Sequence, residues 1–212
     1  MKPITLPLTT ALLLMSSIAS ADTWSIYQKT NLQGALFNTL HQKNSTSGSV
    51  QGINVVTTDG DVNSHQHTLT PTATFLLQQT DTVSGSTQAV NHVKTGTGVS
   101  SYSNQAISAN NLILSQTTSG TNVVQGGNMV DASTGAISVT TGVNQTLINQ
   151  QMTLNQQGTQ LALQAGNGAL TSNSGGIALN GAFQGVSLYQ MSISQGAADH
   201  SIQAANYLGS AQ

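Results

Sequence analysis

Residues 175–193 read Gly-Gly-Ile-Ala-Leu-Asn-Gly-Ala-Phe-Gln-Gly-Val-Ser-Leu-Tyr-Gln-Met-Ser-Ile. Ile177 and Leu179, Val186 and Leu188, and Met191 and Ile193 are apolar pairs two apart, each with a small residue between. In an extended chain residues i and i+2 share a face, so each pair points one way while Ala or Ser points the other. The same signature recurs at Ile53/Val55, Ile137/Val139, Met152/Leu154 and Leu161/Leu163. Glycines punctuate it at Gly120, Gly126-Gly127, Gly135, Gly142, Gly158, Gly166/Gly168, Gly175-Gly176, Gly185 and Gly196. Short strands joined by glycine turns at steps of about 8–12 residues predict an all-β chain. A glycine-free stretch, Gln145–Gln157, leaves room for a helix.

Degenerate internal similarity extends the pattern. Ser86-Thr87-Gln88-Ala89-Val90-Asn91, Ser103-Asn104-Gln105-Ala106-Ile107-Ser108 and Ser201-Ile202-Gln203-Ala204-Ala205-Asn206 share Gln-Ala, an apolar or small residue, then Asn or Ser. An Asn-Gln echo of about six residues runs through Asn144-Gln145, Asn149-Gln150-Gln151 and Asn155-Gln156-Gln157. Like units stack so that each buries its neighbour's apolar face. With strand-sized units the expected fold is a β-solenoid or a stack of cross-β rungs, in which Asn and Gln side chains hydrogen-bond along the axis.

Charge is nearly absent. Charged residues are 5% of the chain, against about a quarter in a typical soluble domain. There is no arginine and no glutamate, Asp131 is the single charge between Lys94 and Asp199, and no proline follows Pro71. Edge charges and prolines are what keep strands from adding to strands, so the composition points to self-association. The weakly acidic balance lacks the basic footprint of a nucleic-acid binder. Without cysteine, neither disulfides nor thiolate metal sites hold the fold. Aromatics at 4% leave the backbone ladder and assembly as the sources of stability.

The organisation expected is threefold. Residues 1–21 read as a secretory signal peptide: Met1-Lys2, an apolar stretch through Leu12-Leu13-Leu14-Met15, then the cleavage site Ala19-Ser20-Ala21 before Asp22. The apolar run is shorter than the ~20 residues that span a bilayer, so the exported form carries no membrane span. Residues 22–49 form an N-terminal capping or linker segment, in which Leu32, Leu36 and Leu40 at i, i+4, i+8 suggest a short helical face and Ser45–Ser49 a turn. Residues 50–212 form the β-rich Asn/Gln/Gly/Ser/Thr domain.

Ser133-Thr134-Gly135-Ala136-Ile137-Ser138-Val139-Thr140-Thr141-Gly142-Val143-Asn144-Gln145, followed by Asn149-Gln150-Gln151, resembles the repeat phrases of secreted bacterial amyloid subunits of the Fap type. Ser119, Gln125 and Gly127 are similar in spacing to the first half of a curlin repeat, whose second half departs at Val130. The resemblance is compositional over about residues 85–210 and motif-like over 119–157. It implies a fibre subunit or fibre-associated protein, whose partners are copies of itself or related subunits and an outer-membrane secretion apparatus.

Catalytic and ligand-binding motifs are sparse. His65-x-His67, with Asp61 nearby and His92 downstream, is the one metal-like cluster, and its spacing fixes no third ligand; solvated strand histidines are the expected reading, with no metal and no cofactor. A looser role is tuning of assembly by pH. Thr68-x-Thr70-x-Thr72-x-Thr74 resembles an ice-binding ladder, but it occurs once and Pro71 interrupts it, so an edge strand is expected. No Gly-x-Ser-x-Gly elbow, Ser-His-Asp set or phosphate loop is present. The sequons at Asn44 and Asn144 carry little weight in a chain this rich in Asn and Thr. Short apolar pairs and few aromatics argue against an outer-membrane barrel.

The expectation is an exported, extracellular or cell-surface, non-enzymatic structural protein that assembles into or nucleates amyloid-like fibres. A monomeric β-solenoid adhesin or carbohydrate-binding protein is the alternative, and a histidine-based periplasmic enzyme or metal carrier the third reading.

Overall fold

A computed structural model describes residues 24–31, 37–45, 48–58, 62–95, 103–132, 137–139, 143–171, 177–179 and 183–210. The signal-peptide region, Asp61, Leu32, Leu36, Gly135, Gly142 and Gly175-Gly176 lie outside the described residues. Thirteen strands follow one another with no helix among them: β1 Trp24–Asn31, β2 Phe37–Lys43, β3 Val50–Thr58, β4 Val62–Asp81, β5 Thr87–Thr95, β6 Ser103–Thr118, β7 Val124–Ala132, β8 Ile137–Val139, β9 Val143–Gln157, β10 Leu163–Thr171, β11 Ile177–Leu179, β12 Phe183–Gly196 and β13 Ile202–Ser210. No described helix is long and apolar enough to cross a membrane.

Among the described residues every strand pairing is parallel. Long strands make one sheet in the order β1-β4-β6-β9-β12, with β2 also on β4; the nine-residue strands make a second in the order β13-β10-β7-β5-β3. Parallel neighbours need a crossover, and here the crossover of each sheet is the strand of the other. The chain is therefore a β-solenoid of about four turns, built from five strand layers. Strands β8 and β11 pair in parallel as a third, short ribbon.

Phe75, Leu77, Leu112, Leu114, Met152 and Leu154 of the long sheet pack with Val90 of the short one to form the main apolar cluster. The layers are thin, so the core is a line of such side chains along the axis. Its fit depends on two inward glycines. A Cβ on Gly127 would lie 2.6 Å from the Gly166 carbonyl oxygen, and one on Gly166 2.7 Å from that of Ala205. Neither can carry a side chain while Leu112, Leu147 and Met152 fill the same space.

Several expectations are corrected. Gln145–Gln157 is strand β9, not a helix, and Leu40 lies in strand β2, paired with Leu77. Strands β1 and β2 lie against β4 as the first layer of the long sheet. The unit is 37–40 residues, not 8–12, as the spacing of stacked glutamines shows. Val186/Leu188 and Met191/Ile193 belong to a single strand, β12, as do all members of the six-residue Asn-Gln echo in β9. The reason is a change of face within the strand, carried from layer to layer without loss of register: the β6/β9 offset stays at 40 residues throughout. Pairing of β6 with β9 passes over Asn110 and Gln150, and burial switches parity there. One residue that breaks the alternation moves subsequent side chains to the opposite face, which makes one long strand look like two short ones. Pro71 lies at the same place in β4, where the register shifts between Thr70 and Thr74. Strand β4 is paired on both sides, so it is not an edge, and Thr68 and Thr70 are buried. Gly126-Gly127, Gly166/Gly168, Gly185 and Gly196 are in strands, while Gly120 and Gly158 stand in turns. Leu161 is a turn residue and only Leu163 begins a strand.

The turns stack as well. Gly48, Gly85, Asn122, Leu161 and His200 occupy equivalent positions in successive layers, all with positive φ (82°, 54°, 56°, 48° and 48°). Leucine in that region costs roughly 1–2 kcal/mol from its Cβ against the following carbonyl. Leu161→Asn, matching Asn122 one layer earlier, is expected to raise the unfolding free energy by about 1 kcal/mol, read as a higher urea midpoint at unchanged slope.

Candidate functional site

The dominant polar feature is a set of four amide columns parallel to the solenoid axis. Gln66, Gln105, Gln145 and Gln184 each donate Nε2 to Oε1 of the residue one layer before, starting at Gln28, over 2.8, 2.8, 2.8 and 2.7 Å. Gln79, Gln116, Gln156 and Gln195 do the same from Gln42, at 2.8–3.0 Å. In the short sheet Gln88, Gln125, Gln164 and Gln203 continue a column from Gln51. The asparagine column runs oppositely: Asn54, Asn91, Asn128 and Asn167 donate Nδ2 to Oδ1 of the residue one layer later, ending at Asn206, at 2.8–2.9 Å.

In the inner layers the amide nitrogens spend their other hydrogen across the interior. Gln105 reaches the Met129 carbonyl at 3.0 Å, Gln145 that of Gly168 at 2.9 Å, and Asn128 that of Thr146 at 3.0 Å. These cross-links fix the direction of each column, because a reversed amide would set its oxygen against a carbonyl oxygen. Satisfied on both sides, buried amides tie the two sheets together; each one left unsatisfied would cost about 1–3 kcal/mol.

Among the described residues the columns run between two end layers. On the side of β12 and β13 no further described strand pairs, and Phe183, Tyr189, Met191, Ile193 and Leu208 are exposed. Gln203 Oε1 is buried with no hydrogen-bond partner. On the opposite side lie β1, β2 and β3, with Lys29, His41 and Lys43 at their surfaces. Lys43 pairs with Asp81 at 3.0 Å, an exposed contact worth little.

The histidines are dispersed. His65 and His67 share the outer face of β4, and the Tyr27 ring lies 6.3 and 6.2 Å from theirs. Partial burial, His65 and Lys29 hold His67 below the ordinary imidazole range. His92 stands in the other sheet, so the structure does not bring it to the His65/His67 pair. Among the described residues no group of three or more His, Cys, Asp or Glu side chains is placed to hold a metal ion.

His92 is fully buried, and burial pushes its imidazole down to about 4, with Asp131 acting upward and Lys94 downward. An imidazole held lower in the folded than in the unfolded state contributes stability that is complete above about pH 6.5 and is lost as pH falls toward 4. A difference of about 2.5 pH units corresponds to roughly 3 kcal/mol. Urea unfolding at pH 7 and pH 4 is therefore expected to show His92→Met losing about 3 kcal/mol less than the wild type over that interval.

Sequence reading captured the idea of Asn/Gln ladders but not their positions. The overlooked signal is Gln-x-x-Asn at Gln51/Asn54, Gln88/Asn91, Gln125/Asn128, Gln164/Asn167 and Gln203/Asn206, which recurs at steps of 37, 37, 39 and 39 residues. The phrases around Gln88 and Gln203 fall in that column, whereas Gln105 belongs to the other sheet. Fold and columns together define an amide-laddered parallel β-solenoid. Comparison with protein-family models, with curated proteins and with solved structures finds no match.

Proposed function

We propose that this chain is an exported, non-enzymatic structural protein that self-assembles into, or nucleates, amyloid-like fibres outside the cell. The observation that carries the reading is the last described layer of the ladders, above all the buried, unpartnered Gln203 oxygen on a layer that also exposes large apolar side chains. A solenoid that ends its life as a monomer shields such a layer with a polar cap. The scarcity of charge leaves the edge strands without the usual electrostatic guard. The mechanism is strand addition, with backbone hydrogen bonds supplying affinity and the amide columns supplying register. Related subunits and an outer-membrane secretion apparatus are the partners that the Fap-type resemblance suggests.

The test is direct. Protein recovered from outside the cell should begin at Asp22 by mass spectrometry, bind thioflavin and give a 4.7 Å meridional reflection. A chain that retains Met1 is not exported by cleavage at Ala21. Material that stays monomeric without that reflection favours the solitary adhesin instead.

A further inference from the structure

We propose that the two end layers are the complementary halves of one interface, so that copies stack head to tail, the β1–β3 layer of one on the β12–β13 layer of the next. The inference rests on the self-assembly reading and adds to it the faces, the register and the direction.

Amide polarity carries it. In the three glutamine columns the β1–β3 end presents nitrogen donors and the β12–β13 end presents oxygen acceptors, because every Nε2 points back toward the first layer. The Gln28 nitrogen gives one hydrogen to the Val55 carbonyl and that of Gln51 one to the His41 carbonyl, leaving each a second. Gln203 Oε1 lacks the donor that such a hydrogen would supply. The asparagine column is reversed at both ends: Asn54 Oδ1 accepts from the Thr30 hydroxyl at 2.7 Å, as Asn91 Oδ1 does from Thr68, and presents its second lone pair, while Asn206 presents its nitrogen. All four columns therefore match when opposite ends meet. When like ends meet, glutamine donors face donors or acceptors face acceptors.

Side chains outside the columns agree. Following the register from layer to layer, Leu40 leads through Leu77, Leu114 and Leu154 to Ile193. Val56 leads through Val93, Val130 and Ala169 to Leu208. On the outer face Tyr27, 65% exposed, heads the column that ends in Phe183, 59% exposed. A copy placed one layer beyond β12 and β13 thus puts Leu40 on Ile193, Val56 on Leu208 and an aromatic ring on an aromatic ring. Such a contact is heterologous and does not close, so it propagates as a filament. Five layers at 4.7–4.9 Å give an axial repeat of about 24 Å per subunit.

Two face-blocking variants test it. Ile193→Lys puts an ammonium on the β12 face at a position 52% exposed in the single chain, and Leu40→Lys does so at the other end of the same column. Far-UV circular dichroism and cooperative unfolding verify that each folds. Should Leu40→Lys not fold, Gln51→Glu replaces it, since its carboxylate still accepts from Gln88 but meets the Gln203 oxygen of the next copy. By sedimentation each variant alone is expected to remain monomeric, and a 1:1 mixture to form dimers and nothing larger. Fibres of the wild type together with dimers or longer assemblies of either variant alone would overturn the head-to-tail interface and leave self-assembly standing. So would wild-type fibres with a mixture that stays monomeric. A wild type that never assembles overturns the self-assembly reading itself.

Discussion

Gln105→Glu, a change with almost no effect on side-chain shape, is expected to lower the unfolding free energy at pH 8 by roughly 4 kcal/mol. Gln105 is fully buried in the middle layer. Its nitrogen donates to Gln66 Oε1 at 2.8 Å and to the Met129 carbonyl at 3.0 Å, while its oxygen accepts from Gln145 at 2.8 Å. A carboxylate keeps the third bond and turns the other two into contacts between acceptors. Two buried groups left unsatisfied cost about 1–3 kcal/mol each, and more when one of them is charged. The carboxyl can escape in part by staying protonated, which restores one donor. Burial among oxygens raises the pKa of a carboxyl above its unfolded value of about 4.3, so the penalty is full at high pH and shrinks as pH falls through the raised value. Urea unfolding should accordingly show a larger deficit at pH 8 than at pH 5. Equal stability of variant and wild type at pH 8 would mean that the amide column is not continuous through the interior.

The same residues show what a sequence of this kind discloses. Alternation at Met152/Leu154 and the glycine-rich, charge-poor composition were enough for an all-β stack, because period-two burial is local and survives in any register. The register itself is not local. Burial reverses parity at Asn110 in β6 and at Gln150 in β9, and pairing passes over Tyr189 at the matching place in β12, so Val186/Leu188 and Met191/Ile193 look like separate units although they share one strand. The alternation hides strand length for that reason, and Gly127 and Gly166 look like turn residues in the sequence although their role is close packing inside the coil. The amide columns were legible in principle, since Gln-x-x-Asn recurs five times, but at a spacing of 37–39 residues and against a background full of Asn and Gln. What no single-chain pattern discloses is direction. That glutamine columns point one way and the asparagine column the other follows from carbonyls contributed by the facing sheet, such as those of Met129, Gly168 and Thr146.

Leu154→Lys is expected to abolish folding of the subunit, whereas lysine one layer away in the same column, at Ile193, is expected to leave the single chain folded. Leu154 is fully buried among Leu77, Leu114 and Met152, with the amide columns on either side already satisfied. No carboxylate is in that cluster to receive an ammonium. An unpaired buried charge costs several kcal/mol even after relaxation, and the loss of leucine packing adds about 2–5 kcal/mol. The sum is comparable with the whole stability of a domain of this size, about 5–15 kcal/mol. Gly158→Lys is the third arm. Its Cβ would make an ordinary van der Waals contact, 3.7 Å from the Thr118 carbonyl oxygen, so the cost is confined to a side chain at φ +69°, roughly 1–2 kcal/mol. Far-UV circular dichroism and urea unfolding should therefore rank the three as Ile193→Lys mild, Gly158→Lys intermediate and Leu154→Lys unfolded. Only the first should combine a native spectrum with failure to elongate. A native, assembling Leu154→Lys would place that side chain at a surface and dissolve the column that runs from Leu40 to Ile193.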